Sequence, residues 1–101
     1  MKFNRFEEIE VWQTSRMLVK DIYELTKSPM FSKDYELINQ IRSCAVSIPS
    51  NIAEGYERKS NTEFIRFLYI SKGSAGELRT QLYLAKDLDY ISDERFNNYL
   101  Q

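Results

Sequence analysis

The chain has 101 residues, 43% of them hydrophobic and 29% charged, with 3 glycines and 2 prolines. That length supports one core, and the composition suits a compact helical domain over a turn-rich sheet or a disordered chain. Lys and Arg number 14 against 15 Asp and Glu, a formal charge of -1, so no bulk electrostatics advertises a polyanion or an acidic substrate. Histidine is absent and Cys44 is the one cysteine. This removes the commonest general base, the usual zinc ligand and the Ser/His and Cys/His dyads, and it leaves no internal disulfide.

The first eight residues carry no apolar h-region and no small-residue cleavage site, so they do not read as a signal peptide. Nowhere do about 18 apolar residues run together. A single cytoplasmic domain over residues 1–101, without a membrane span, is the expectation. Val11, Ser15, Leu18, Ile22 and Leu25 fall on one line with Trp12, Val19 and Tyr23 beside it, which predicts a helix from about Glu8 to Lys27, stopped by Ser28-Pro29. Ser32 and Asp34 can both cap a second helix whose apolar line is Leu37, Ile41, Cys44/Ala45, Ile48 and Ile52.

Pro49 falls inside that second pattern, where it deletes a backbone hydrogen bond and disfavours a helical Ile48. The apolar line nevertheless stays in phase across it, and Ile48 would make a poor N-cap. The spacing therefore predicts one kinked helix to about Gly55, a C-cap candidate. Tyr56 to Asn61 read as a loop, with Asn61 capping a third helix and Glu63 following it. The third helix has the core line Phe64, Phe67, Leu68, Ser71, Ala75, Leu78, Leu82 and Ala85, and spans about 28 residues. Ser92, with Glu94 and Arg95, opens a fourth helix at Asp93 of only about two turns, too short to be stable unless packed or completed by something else. The expected fold is all-α, an up-down antiparallel four-helix bundle with a short or truncated last helix. Its expected core includes Trp12, Leu18, Ile22, Ile41, Ile48, Ile52, Phe67, Leu68, Leu78 and Leu82.

Three segments could carry chemistry. Ser71-Lys72-Gly73-Ser74-Ala75-Gly76 is rich in small residues inside a helix, and each glycine there costs about 1 kcal/mol against alanine, so close packing on another backbone is the expected compensation. A phosphate loop does not fit, because Lys72 precedes the glycines and no strand precedes the segment. Arg42, Asn51, Glu54 and Glu77 lie near the apolar lines of helices two and three. They read as a hydrogen-bonded network in which Arg42 neutralises a carboxylate, and not as a catalytic or hard-cation site. No metal, cofactor or catalytic residue is expected, and Cys44 reads as a small core residue.

The third segment is a line on helix three: Tyr69, Lys72, Gly76, Arg79, Tyr83, Lys86 and Tyr90. It holds three bases and three tyrosines and no acid, and at 100° per residue it flanks the core line by about 115°. Basic residues interleaved with aromatics suit phosphate contact and base stacking, which makes Lys72, Arg79, Lys86, Tyr69 and Tyr83 a candidate nucleic-acid surface. The favoured reading is a solvated face whose tyrosines fill an interface between copies of a homo-oligomer.

Ser47-Ile48-Pro49-Ser50-Asn51-Ile52-Ala53-Glu54-Gly55-Tyr56-Glu57-Arg58, with Val11-Trp12-Gln13, Phe64-Ile65-Arg66-Phe67-Leu68, Gly73-Ser74, Glu77-Leu78 and Gln81-Leu82, closely resembles the four-helix-bundle proteins encoded in intervening sequences of bacterial 23S rRNA genes. The likeness covers nearly the whole chain. It implies an up-down bundle with Pro49 inside helix two and assembly as a homopentamer, and it supplies no catalytic residue. The bundle is also similar to the accessory variability protein of diversity-generating retroelements, a basic pentamer that works with a reverse transcriptase and nucleic acid. This chain departs from that relative in being slightly acidic.

Overall fold

The computed structural model describes residues 3–99, and among them four α-helices run in chain order: α1 Glu10–Leu25, α2 Tyr35–Glu57, α3 Asn61–Asp87 and α4 Asp93–Tyr99. Short 3-10 turns at Phe6–Glu8 and Phe31–Lys33 precede α1 and α2. No strand occurs among the described residues. The three long helices alternate in direction and set the long axis of a body measuring 44 × 20 × 18 Å. The fold is therefore the all-α bundle that the periodicity predicts. The expected run of α4 into residues 100 and 101 lies outside the described residues.

Helix boundaries follow local hydrogen bonding more closely than hydrophobic period. At the start of α1 the period reaches back to Glu8, but Ile9 is extended (φ -76°, ψ 120°) and Phe6–Glu8 form a separate turn, so the helix begins at Glu10. It ends at Leu25, where Thr26 turns its hydroxyl back to the Tyr23 carbonyl at 3.1 Å. Of the two candidate caps of α2, Asp34 takes the role: its Oδ1 accepts from the Leu37 N–H at 3.1 Å, while Ser32 donates to the Pro29 carbonyl.

Pro49 sits inside a continuous α2, as its in-phase apolar neighbours require. Gly55 does not cap that helix. It is buried, with an ordinary φ, and a Cβ placed on it would come within 2.6 Å of Phe67 Cβ, so its role is close approach between α2 and α3. The chain turns two residues after Glu57, at Lys59, which adopts φ 59°. Ser60, extended at φ -138°, then caps α3 through its side chain, which accepts from the Glu63 N–H at 3.3 Å. Asn61, expected as the cap, is the first helical residue instead.

α2 forms the middle of the core. Ile41, Ala45, Ile48 and Ile52 bury between Ile22 and Leu25 of α1 and Leu78, Leu82 and Ala85 of α3. Ser71 is also buried, donating to the Ile48 carbonyl at 2.9 Å, which ties α3 to α2 beside Pro49. Phe31, fully buried, packs on Tyr90 with ring centroids 5.2 Å apart, and Ile91 and Phe96 complete the same end. Trp12, Leu18 and Leu68 were expected in the core and are only partly buried. The seven-residue α4 covers the end of the bundle near Tyr83 and Lys86, so the face running toward Leu68 has no fourth helix over it.

Candidate functional site

The basic and aromatic line on α3 lies on one face, but its members differ in what they meet. At the C-terminal end Tyr83 packs its ring on Phe96 of α4 with centroids 4.6 Å apart. Lys86 Nζ lies 4.9 Å from the same phenyl ring and 3.9 Å from Asp93 Oδ1. Tyr90 leaves the line altogether, because Asp89 adopts φ 62° and carries the chain back over Phe31. Toward the other end the face is open: Tyr69 is 67% and Ile65 53% exposed, Arg79 is exposed, and Lys72 Nζ stands 6.0 Å over the Tyr69 ring.

Gly76 in this face and Gly73 beside it are also open. Nothing lies within 4 Å of a Cβ built on Gly73 or Gly76, which corrects the expectation that this small-residue stretch packs against a backbone of its own chain. The close glycine contact of the fold is at Gly55. Within the subunit, Gly73 and Gly76 cost helix stability with no packing in return.

The four residues expected to form a polar network do not come together. Arg42 donates from Nε to Thr26 Oγ1 at 2.9 Å and lays its guanidinium 4.5 Å from the Tyr23 ring centroid. Asn51 donates to the Ser47 carbonyl at 2.7 Å, and Glu54 accepts from Arg58 at 3.0 Å on the surface. Glu77 lies 3.9 Å from Cys44 Sγ. No bond joins any two of the four, so each stabilises its own helix or helix pair. Cys44 is buried and donates to the Ser74 carbonyl at 3.0 Å. Burial, reinforced by the Glu77 carboxylate, pushes its thiol pKa up, the opposite of a reactive thiolate.

A second surface escapes the sequence because its residues come from two helices. Along the outer edge of the α2–α3 contact, a cavity of about 300 Å³ is lined by Glu36, Leu37, Gln40, Leu84, Asp87 and Leu88 together with Asp34. A neighbouring one of about 410 Å³ shares Gln40 and adds Glu77, Gln81, Ser43, Cys44 and Ser47. No lysine or arginine lines either cavity. Leu84 and Leu88 are about half exposed there, at 48% and 51%. Asp34 is committed within the fold, since its Oδ2 accepts from the Tyr90 hydroxyl at 2.9 Å while Oδ1 caps α2. That bond to a carboxylate raises the Tyr90 pKa.

Among the described residues no cluster of three or more His, Cys, Asp or Glu could hold a metal ion, and no helix is long and apolar enough to cross a membrane. Residues 7–101 match the family model described as 23S rRNA-intervening sequence protein. The chain belongs to that family. No curated protein matches this intervening-sequence chain.

Proposed function

We propose that this intervening-sequence family member is a non-catalytic interaction module that works as a homo-oligomer in the cytoplasm. The observation that carries the reading is the open face of α3, where Ile65 and Tyr69 are more than half exposed beside two uncovered glycines. Glycine in mid-helix is unfavourable in the isolated subunit, and large exposed side chains around it give a second helix both area and close access. The residue types for catalysis are sparse: there is no histidine and the one thiol is held protonated. Resemblance to the 23S rRNA intervening-sequence proteins adds a pentameric ring as the assembly.

A second reading is favoured by one feature. Lys72 and Arg79 share their face with Tyr69, the arrangement a single strand of nucleic acid would use for phosphate contact and stacking. On this reading the protein is a nucleic-acid-binding accessory of the kind suggested by its likeness to the accessory variability protein of retroelements, and it would act beside a reverse transcriptase.

Sedimentation equilibrium and low-salt filter binding separate the two. The oligomer reading expects a mass several times 12.0 kDa at micromolar concentration, and no retention of single-stranded or duplex nucleic acid. A monomer under those conditions overturns it. Retention that falls steeply with salt and is lost in Arg79→Glu would establish the accessory reading.

A further inference from the structure

The two surfaces differ in charge and lie on different sides of the same helix. On the open face Lys72 and Arg79 flank Gly76, with Tyr69 one turn before, and no acid stands on the line; at its far end Lys86 pairs with Asp93 of α4. In the α2–α3 groove Glu36 and Asp87 stand beside Leu84 and Leu88, and Glu77 lines the adjoining cavity, with no base in either. One surface is cationic and aromatic, the other anionic and aliphatic. By helical period the centre of the first, near Gly76 and Tyr83, stands about 120° around α3 from the centre of the second, near Glu77 and Leu88.

We propose that the acidic groove between α2 and α3 of one copy receives the open α3 face of a second copy. Resting on the oligomer reading above, the proposal names the two surfaces that meet. Arg79 stands at the same height along α3 as Glu77, two residues away in the chain, so copies placed side by side bring the guanidinium of one toward the carboxylate of the next. Tyr83 then lies at the height of Leu84, and Gly76, with nothing within 4 Å of a built Cβ, admits the neighbouring helix without a side chain between them. Because the surfaces differ, the contact is heterologous: each copy donates one and accepts with the other. Surfaces about 120° apart make successive copies turn, as a closed ring requires.

Charge reversal in the full chain tests the pairing, with sedimentation equilibrium as readout and far-UV circular dichroism confirming that each variant keeps its helices. Lys72→Glu with Arg79→Glu sets acid against acid. Glu77→Lys with Asp87→Lys sets base against base. Each pair of changes alone should raise the dissociation constant by about tenfold or more. All four together in one chain restore opposite charge between the reversed positions and should return the mass toward that of the unaltered protein. Reversed chains that keep the parental mass overturn the proposal while leaving oligomerisation intact. A four-fold variant no more associated than the two-fold ones also overturns it. If the unaltered chain is monomeric, the proposal falls together with the oligomer reading, and binding of single-stranded RNA lost in Arg79→Glu would give the face to nucleic acid.

Discussion

Glycine shows how the same residue type carries opposite meanings at different positions. Gly55 lies where α2 touches α3, and a methyl group there would meet Phe67 Cβ at 2.6 Å. That atom is fixed to the backbone and has no flexible end to move aside. Gly55→Ala is therefore expected to destabilise the subunit by about 1–3 kcal/mol through overpacking, despite alanine's better helix propensity. Gly76 faces open space, and Gly76→Ala should stabilise the isolated subunit by up to about 1 kcal/mol. Urea denaturation of both variants checks the sign. The sequence shows three glycines but not which of them touches a neighbour, because that depends on which residue of another helix arrives opposite. Equally, Arg42, Asn51, Glu54 and Glu77 look like a network in a list, yet a shared helix pair does not bring four side chains to one point. Cys44 is different: its apolar line alone placed it in the core, and it is buried.

Elements were legible to the extent that their period is long. α2 and α3 repeat their apolar positions over about four and six turns of helix, so their existence, phase and continuity across Pro49 could be read directly. Their ends could not, since a cap is decided by one backbone conformation: Ser60 is extended and bonds Glu63 N–H, and Asn61 beside it is not. α4 is the element most dependent on its surroundings, because seven residues form too few hydrogen bonds to persist alone. Phe96 anchors it against Tyr83, and Tyr90 anchors its approach by donating to Asp34, the residue that also caps α2. Hydrogen bonding to that carboxylate favours the protonated phenol and raises its pKa above the ordinary tyrosine value. The stabilisation is thus complete below the unfolded tyrosine pKa, near 10, and is lost as pH rises through the higher folded value. Tyr90→Phe should lower stability at neutral pH and flatten its decline in alkali. Thermal melts from pH 8 to about 12 test this, and a variant with the parental alkaline decline would show that the bond contributes nothing.

At the scale of the molecule, charge is balanced in total and divided in space. A formal charge of -1 argues against a polyanion partner only while the charges are taken as mixed. In the fold the α2–α3 groove gathers acids without a base, and another flank of α3 gathers Lys72, Arg79 and Lys86, of which Lys86 pairs with Asp93. Half of that division, the basic line, was legible from a single helix. The acidic half was not, because Glu36 and Asp87 stand 51 positions apart in the sequence and meet only when α2 folds back on α3. A molecule divided in this way has a surface complementary to itself, and its stability should then depend on its own concentration. Association draws the unfolding equilibrium toward the folded subunit, adding on the order of 1 kcal/mol per subunit for each tenfold rise in concentration well above the dissociation constant. The midpoint of thermal unfolding is accordingly expected to climb with protein concentration for the unaltered chain and, over concentrations at which the reversal has dissociated it, to stay constant for the chain carrying Lys72→Glu and Arg79→Glu. Equal slopes for the two would separate stability from this surface, because only a contact made through Lys72 and Arg79 can be removed by reversing them while the helices, the Gly55 contact and the buried core remain as they were.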